Sequence, residues 1–129
     1  MDSKEERIKK LTSLYYSNPE VQKAIFDFSK NREIAPSFMM QGFGKRPDSF
    51  QYIGDIYEMV KKGATSFHCS QELWANPLNI STDKTKKELD ELREGWDFLI
   101  DIDSKYLDYS KILLEQILKV LDFTSIQAK

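Results

Sequence analysis

The sequence has few cysteines, glycines and prolines, and it has no long hydrophobic run. Cys69 is its one cysteine, so the chain can form neither an internal disulfide nor a zinc site made of several cysteines. No apolar stretch has the length of a membrane-spanning helix or the form of a signal peptide. These absences predict a protein of the reducing cytoplasm that does not interact with a membrane.

The charge balance lacks a strong excess of either sign. Lysine and arginine total 19 against 21 acidic residues, for a net charge of -2. No global basic field therefore attracts nucleic acid, and any such binding must be local. With 129 residues, of which 40% are hydrophobic, the chain has the size of one globular domain, which buries about two thirds of its unfolded surface.

The spacing of apolar residues predicts an α+β fold. Helical spacing and capping residues predict five helices, and alternating or continuous apolar runs predict strands. The last helix lies between two predicted strands, and this β-α-β connection predicts a mixed sheet flanked by helices. The predicted helices cover about 4–16, 19–30, 53–61, 83–92 and 109–121, and the clearest predicted strands cover 65–70, 96–103 and 124–129.

One apolar run, residues 98–103, ends in two acids that are one residue apart. In a strand, side chains alternate between faces, so Asp101 and Asp103 would project on the same side. Two carboxylates about 6 Å apart repel by ~3 kcal/mol at an effective dielectric near 20, and a divalent cation converts that repulsion into attraction. The pair therefore predicts a Mg²⁺ or Mn²⁺ site that leaves coordination positions for phosphate oxygens.

The acid pair has several interpretations. It is also typical of a solvated junction between a strand and a helix, in which Asp103 or Ser104 caps the helix. Asp-x-Asp pairs bind metal in glycosyltransferases, in nucleotidyltransferases and polymerases, and in haloacid-dehalogenase-type phosphatases. The phosphatase pattern requires Thr or Val where this chain has Lys105, which disfavours that class.

Four other residues are candidates for a site. His68 and Cys69 are adjacent, so in a strand they face opposite ways and cannot share a metal; a structural role is expected for each, and His68 is the better placed to line a site. Arg46, in a glycine-rich turn, has the chemistry of a phosphate ligand, although such residues are more often solvated. Trp74 is expected to be buried rather than to stack on a base.

Four short segments, taken in order, resemble the N-terminal half of the small, catalytic subunit of archaeo-eukaryotic DNA primases. In that family an Arg-Glu motif precedes an Arg-x-x-Ser-Phe segment, a strand with a terminal Ser and a strand with hydrophobic-Asp-hydrophobic-Asp. The similarity begins near Leu14, and the sequence is most like that of divergent archaeal members of the family. The matching segments are Arg32-Glu33, Arg46-Pro47-Asp48-Ser49-Phe50, Ser66-Phe67-His68-Cys69-Ser70 and Trp96-Asp97-Phe98-Leu99-Ile100-Asp101-Ile102-Asp103.

The resemblance implies a role for each matching residue. Asp101 and Asp103 correspond to the first two metal-binding, catalytic acids of the family, which hold divalent ions against an incoming NTP or dNTP. Arg46 corresponds to a phosphate ligand. Glu33 corresponds to a catalytic carboxylate near the initiating nucleotide. Ser49 and His68 complete the implied nucleotide-binding set, and the implied template is single-stranded DNA.

The chain also departs from the family pattern. The Ser-x-His motif would begin just past Lys129, the third metal-binding Asp lies farther on, and the cysteine-rich zinc motif is absent. Residues 1–129 are therefore expected to be a single domain that is truncated at its C-terminus. We expect this domain to bind metal weakly. We expect it to polymerise nucleotides only together with the missing C-terminal segment or a primase large subunit. The alternatives are a glycosyltransferase and a non-catalytic remnant that binds nucleic acid or a primase partner.

Overall fold

The computed structural model describes residues 3–123, which divide into two compact units. The first unit ends at Asp97 and the second begins at Phe98. That residues 1–129 form a single domain, as expected from the length of the chain, stays a prediction. Within residues 3–123, no helix is both long enough and apolar enough to cross a membrane.

Local capping explains where the helices of the first unit begin. The helix α1 (Lys4–Tyr16) begins after Ser3, whose hydroxyl accepts a hydrogen bond from the Glu6 N–H at 3.2 Å. The helix α2 (Pro19–Phe28) begins with proline at its first position, where no N–H is needed. The bounds of both helices match the sequence prediction closely. The remaining two helices of this unit are α3 (Gly54–Lys61) and α4 (Lys86–Leu92).

The start of α4 differs from the prediction, which placed the cap at 81–83. The N-cap is Thr85, whose hydroxyl accepts a hydrogen bond from the Glu88 N–H at 3.3 Å, while the Glu88 carboxylate accepts one from the Thr85 N–H at 2.7 Å. This reciprocal pair satisfies two donors that the helix end would leave free. The earlier Ser and Asp offer only one half of such a pair.

Within residues 3–123, five strands form two small antiparallel sheets, which confirms the predicted α+β class. The strands are β1 (Ile34–Phe38), β2 (Gly42–Phe43), β3 (Ala64–Cys69), β4 (Glu72–Trp74) and β5 (Arg93–Trp96). The first sheet has the order β2-β1-β3, and the second pairs β4 with β5. A single turn of 3-10 helix, Pro77–Asn79, follows β4.

One face of the three-stranded sheet packs against helices and holds the core. Ile34 on β1 and Ile56 on α3 are almost fully buried, with 1% and 0% of their surface exposed. Phe67 on the same face meets the rings of Tyr16 and Phe50 edge to face, at centroid distances of 5.2 and 5.4 Å. The core therefore fixes the sheet from one side. On its other face, which we call the open face, His68 is exposed, while the small Ala35 side chain is 8% exposed.

The predicted strand at 96–103 is wrong except for its first residue. Trp96 ends β5, and residues 97–104 have no regular secondary structure. The partner strand β4 ends the pairing, since Trp96 lies opposite Glu72 and the ladder stops after the Asp97 N–H donates to the Gln71 carbonyl at 3.0 Å. Alternation alone cannot make a strand, because its backbone groups require a neighbouring strand.

The second unit contains the helix α5 (Leu107–Phe123), which matches the predicted helix at 109–121. The predicted strand at 124–129 lies outside the described residues. Of the expected β-α-β unit, Trp96 is the part that lies in a described strand. Every strand pair in residues 3–123 is antiparallel, so the predicted mixed sheet is wrong for these residues.

Candidate functional site

Glu33 lies just before β1, and hydrogen bonds with Ser70 fix its backbone. Its N–H donates to the Ser70 hydroxyl at 3.0 Å, and its carbonyl accepts from the Ser70 N–H at 2.9 Å. These bonds extend the β1-β3 ladder by one position. Because side chains alternate along a strand, Glu33 lies on the same face as Ala35, which is the open face of the sheet. Its carboxylate is held at a defined place.

Arg46 forms a two-point ion pair with that carboxylate. Its Nε and Nη2 donate to Glu33 Oε1 and Oε2 at 2.7 and 3.1 Å. The Glu33 side chain is 14% exposed, whereas that of Arg46 is 57% exposed. The hydrogen bonds and negative charge of Glu33 raise the pKa of the Arg46 guanidinium. The edge of the guanidinium that carries Nε and Nη2 is thereby fixed, and the rest of this half-exposed side chain can reach solvent.

The turn before Arg46 favours glycine at position 44. The Gly44 N–H donates to the Pro36 carbonyl at 2.8 Å, which brings the turn close to β1. A Cβ at Gly44 would lie 3.0 Å from Phe38 Cε2 and 3.0 Å from Pro36 Cγ, tighter than ordinary contact. Glycine thus allows the close approach that places Arg46 beside Glu33.

His68 lies on the same open face. It is paired with Ala35 across β1 and β3, and directly opposite residues of an antiparallel pair share a face. Phe43 on β2 lies opposite Ser37 and meets the His68 ring edge to face at 5.1 Å. His68 is exposed, whereas Cys69 lies on the other face, where burial raises the pKa of its thiol. The prediction that the two residues face opposite ways is confirmed.

Ser49 is placed differently from the other candidates. Its hydroxyl accepts a hydrogen bond from Gln51 Nε2 at 2.9 Å, and its N–H donates to its neighbour Asp48 at 2.8 Å. The Asp48 carbonyl accepts from the Ile34 N–H at 2.8 Å, which ties this loop to the start of β1. The bonds of Ser49 are therefore those of a loop residue near the site.

Asp101 and Asp103 belong to the second unit, and both side chains are exposed. The argument that a strand places them on one face is wrong, because the segment is not a strand. Their role as a metal site stays a prediction. Across residues 3–123, no three or more His, Cys, Asp or Glu side chains are grouped as a metal site. Two exposed carboxylates still suit a hard divalent cation that keeps open coordination positions.

The structure shows a further ion pair, between Arg32 and Asp97, that the sequence analysis did not predict. Arg32 Nη1 and Nη2 donate to the Asp97 carboxylate at 2.6 and 3.1 Å. Nη1 also donates to the Ser70 carbonyl at 2.9 Å, and Nε donates to the Phe28 carbonyl at 2.9 Å. Arg32 therefore joins the ends of α2, β3 and β5. The one available signal was the Arg-Glu motif itself. Its arginine, Arg32, holds elements of the fold together, whereas its acid, Glu33, pairs with Arg46.

Comparison of the chain with protein-family models, with curated proteins and with solved structures gives no match.

Proposed function

We propose that this chain is the N-terminal part of a primase-type nucleotidyltransferase, which makes primers on a single-stranded DNA template. The observation that carries the proposal is the two-point ion pair between Arg46 and Glu33, which come from separate segments of the chain. Both segments are among those that resemble the primase small subunit. The expected partners are an NTP or dNTP, the template, and a primase large subunit or the C-terminal segment, in the cytoplasm.

Arg46 has the chemistry required of a triphosphate ligand. Glu33 engages the edge formed by Nε and Nη2. A guanidinium carries five N–H donors in a planar fork, so the Nη1 edge remains able to donate to phosphate oxygens. Because the Glu33 carboxylate already orients the fork, binding costs little side-chain entropy. Glu33 acts here by positioning Arg46, and His68 lies on the same face as a further donor or acceptor.

Asp101 and Asp103 are the residues that would hold the divalent ions. Mg²⁺ or Mn²⁺ would supply charge neutralisation of the triphosphate and of the attacking oxygen. In the proposed reaction the primer 3′-hydroxyl loses its proton to solvent and its oxygen bonds to the α-phosphorus of the incoming nucleotide. The bond from that phosphorus to the oxygen bridging to the β-phosphate breaks, and pyrophosphate leaves. Arg46 would stabilise the negative charge on the phosphate oxygens of the nucleotide that it binds.

Nucleotide binding by the 129-residue chain tests the proposal. We expect ATP and dTTP to bind with Mg²⁺ regardless of base, and Arg46→Ala to weaken binding by about 1.5–3 kcal/mol, the value of a lost charge-assisted contact. Arg46→Lys should recover only part of the loss, because lysine keeps the charge without the fork. Isothermal titration calorimetry measures these affinities, and Arg7→Ala, on the exposed surface of α1, is the matched control.

A competition between ATP and UDP-glucose separates the primase from the glycosyltransferase interpretation. If the chain prefers UDP-glucose and Arg46→Ala does not change nucleotide affinity, the primase proposal is contradicted. Circular dichroism of the variants ensures that a loss of binding does not arise from unfolding. Binding of neither nucleotide by the folded parent would favour the non-catalytic alternative.

A further inference from the structure

The strand β3 lies at one side of the three-stranded sheet, and within residues 3–123 β1 is its one partner strand. In an antiparallel ladder, successive residues turn their backbone groups alternately toward the partner and away from it. The Ser70 N–H donates to the residue before β1 at 2.9 Å, so the backbone groups of His68 and Ser66 also point toward β1. Those of Phe67 and Cys69 point away from β1, along the side that we call the free edge.

The free edge carries little that would prevent another strand from adding to it. Natural edge strands are commonly guarded by lysine, proline, inward-pointing charges or bulges. The sequence of β3 is Ala-Thr-Ser-Phe-His-Cys, which contains no proline, lysine, arginine or acid. Its register shift with β1 lies at its start, between Ala64 and Ser66. The remainder of β3, from Ser66 to Cys69, is regular and can accept a further strand.

An apolar groove lies beside the free edge, on the face of the sheet that packs against helices. The groove has a volume of about 470 Å³, and its lining includes Tyr15, Phe28, Phe67 and Cys69. Tyr15 on α1 and Phe28 on α2 are 58% and 52% exposed. The backbone groups of the edge and the apolar side chains of the groove therefore belong to one surface.

The helix α1 extends this apolar surface. Leu11, Leu14 and Tyr15 are three and four positions apart, so they lie on one stripe of the helix. Leu11 is 66% exposed and Leu14 is 72% exposed. The Tyr16 ring meets Phe67 of β3 at a centroid distance of 5.2 Å, which places α1 over the edge strand. A partner that covers the whole surface must supply both a strand and an apolar helix.

We propose that the free edge of β3 pairs with β3 of a second copy of this chain, and that the α1 helices of the two copies pack side by side. Antiparallel pairing of a strand with its own copy has a two-fold axis perpendicular to the sheet. The helix-covered faces of the two sheets then lie on the same side, and the α1 helices meet in one layer. A separate peptide strand would satisfy the edge but would leave Leu11 and Leu14 exposed.

The pairing is compatible with the side chains of β3. In a register centred on Phe67, this residue exchanges both backbone hydrogen bonds with its own copy, and Ser66 lies opposite His68 of the second copy. No lysine, arginine or acid of β3 is brought against its like, because β3 contains none. The inference goes beyond the proposed function, since the pairing requires neither a nucleotide nor a metal ion and its test uses neither.

Sedimentation of the 129-residue chain between about 1 and about 200 μM tests the inference. We expect a monomer-dimer equilibrium in this range. Leu14→Glu should weaken dimerisation at least about 100-fold, because the substitution occurs twice in the pair and each buried leucine contributes about tenfold or more. Met40→Glu makes the same change of charge at an 84% exposed residue in the turn between β1 and β2, and it should leave dimerisation unchanged.

Amide hydrogen exchange of the parent chain tests the strand pairing without any substitution. The Phe67 and Cys69 amides should be protected at high concentration and lose protection on dilution, whereas the Ser66 and His68 amides, which point toward β1, should be protected at both.

A chain that stays monomeric at the highest concentration would overturn the inference, as would a dimer whose Phe67 and Cys69 amides exchange freely. Protection of these amides that does not depend on concentration would show that the chain itself covers the edge, and would overturn it too. Unchanged dimerisation of Leu14→Glu would contradict the packing of α1 against its copy. Urea unfolding of Leu14→Glu and Met40→Glu shows that both variants remain folded.

Discussion

Replacing Asp101 and Asp103 together by asparagine is expected to remove divalent-metal binding from this chain. The substitution replaces two negative charges by neutral amides, and a hard cation such as Mn²⁺ loses most of its attraction to the segment. We expect affinity for Mn²⁺ to fall at least about 100-fold, which is ~2.7 kcal/mol. In the parent chain, NMR titration with Mn²⁺ should broaden resonances around both residues first.

The matched control for the metal experiment is Asp27→Asn/Asp83→Asn. These two acids are exposed and lie in the first unit, so the control changes the net charge equally and should leave Mn²⁺ binding unchanged. Broadening concentrated away from the segment 98–103 would contradict the predicted metal site. Equal Mn²⁺ affinity in the parent and the Asp101/Asp103 variant would do the same.

Removal of the buried Arg32 guanidinium is expected to have the largest effect on stability. Arg32→Leu removes the donor that serves the Asp97 carboxylate and the carbonyls of Phe28 and Ser70. Each acceptor that stays away from water costs about 1–3 kcal/mol, so we expect a total loss of about 3 kcal/mol, a large part of the stability of a small protein. Urea unfolding followed by circular dichroism measures the loss.

Three further variants make the Arg32 experiment specific. Arg32→Lys should restore little, since one ammonium cannot reproduce a fork that donates to three partners. Asp97→Asn leaves the Arg32 guanidinium, which is 8% exposed, without its counter-charge but keeps an amide oxygen as acceptor, and it should cost about 1–3 kcal/mol. Arg7→Ala, which removes an exposed cation, should lie within about 0.5 kcal/mol of the parent. A parent-like unfolding midpoint for Arg32→Leu would show that the pair does not support the fold.

The sequence predicts those parts of the fold that are determined locally. Helix starts are defined by residues two or three positions apart, as in the bonds between Ser3 and Glu6 and between Asn18 and Glu20. A strand depends on its partner, which lies far along the chain. The run 96–103 has the pattern of a strand, yet β4 pairs only with its first residue, Trp96, and with Gly95 and Arg93 before it. Sequence alternation contains no information about where that partner ends.

The candidate site likewise has features that the sequence predicts and features that depend on distant partners. Alternation correctly separates His68 from Cys69, and resemblance to primases selects Glu33 and Arg46. That the latter two form one ion pair follows from the turn at Gly44, which folds back on β1. The Arg32–Asp97 pair joins residues 65 positions apart, and no local pattern predicts such a contact. Long-range partners are thus what the sequence left undetermined.

Ser70 connects the two sheets through four hydrogen bonds, which predicts how the first unit opens. Its hydroxyl accepts from the Glu33 N–H and donates to the Glu72 carbonyl, its N–H donates to Glu33, and its carbonyl accepts from Arg32. Amide hydrogen exchange should therefore report β1, β3 and the start of β4 as one cooperative unit. In Ser70→Ala, the Glu33 amide should exchange faster than the Ile34 amide, which donates to the Asp48 carbonyl. Unchanged exchange of the Glu33 amide in Ser70→Ala would show that the sheets open independently of this serine.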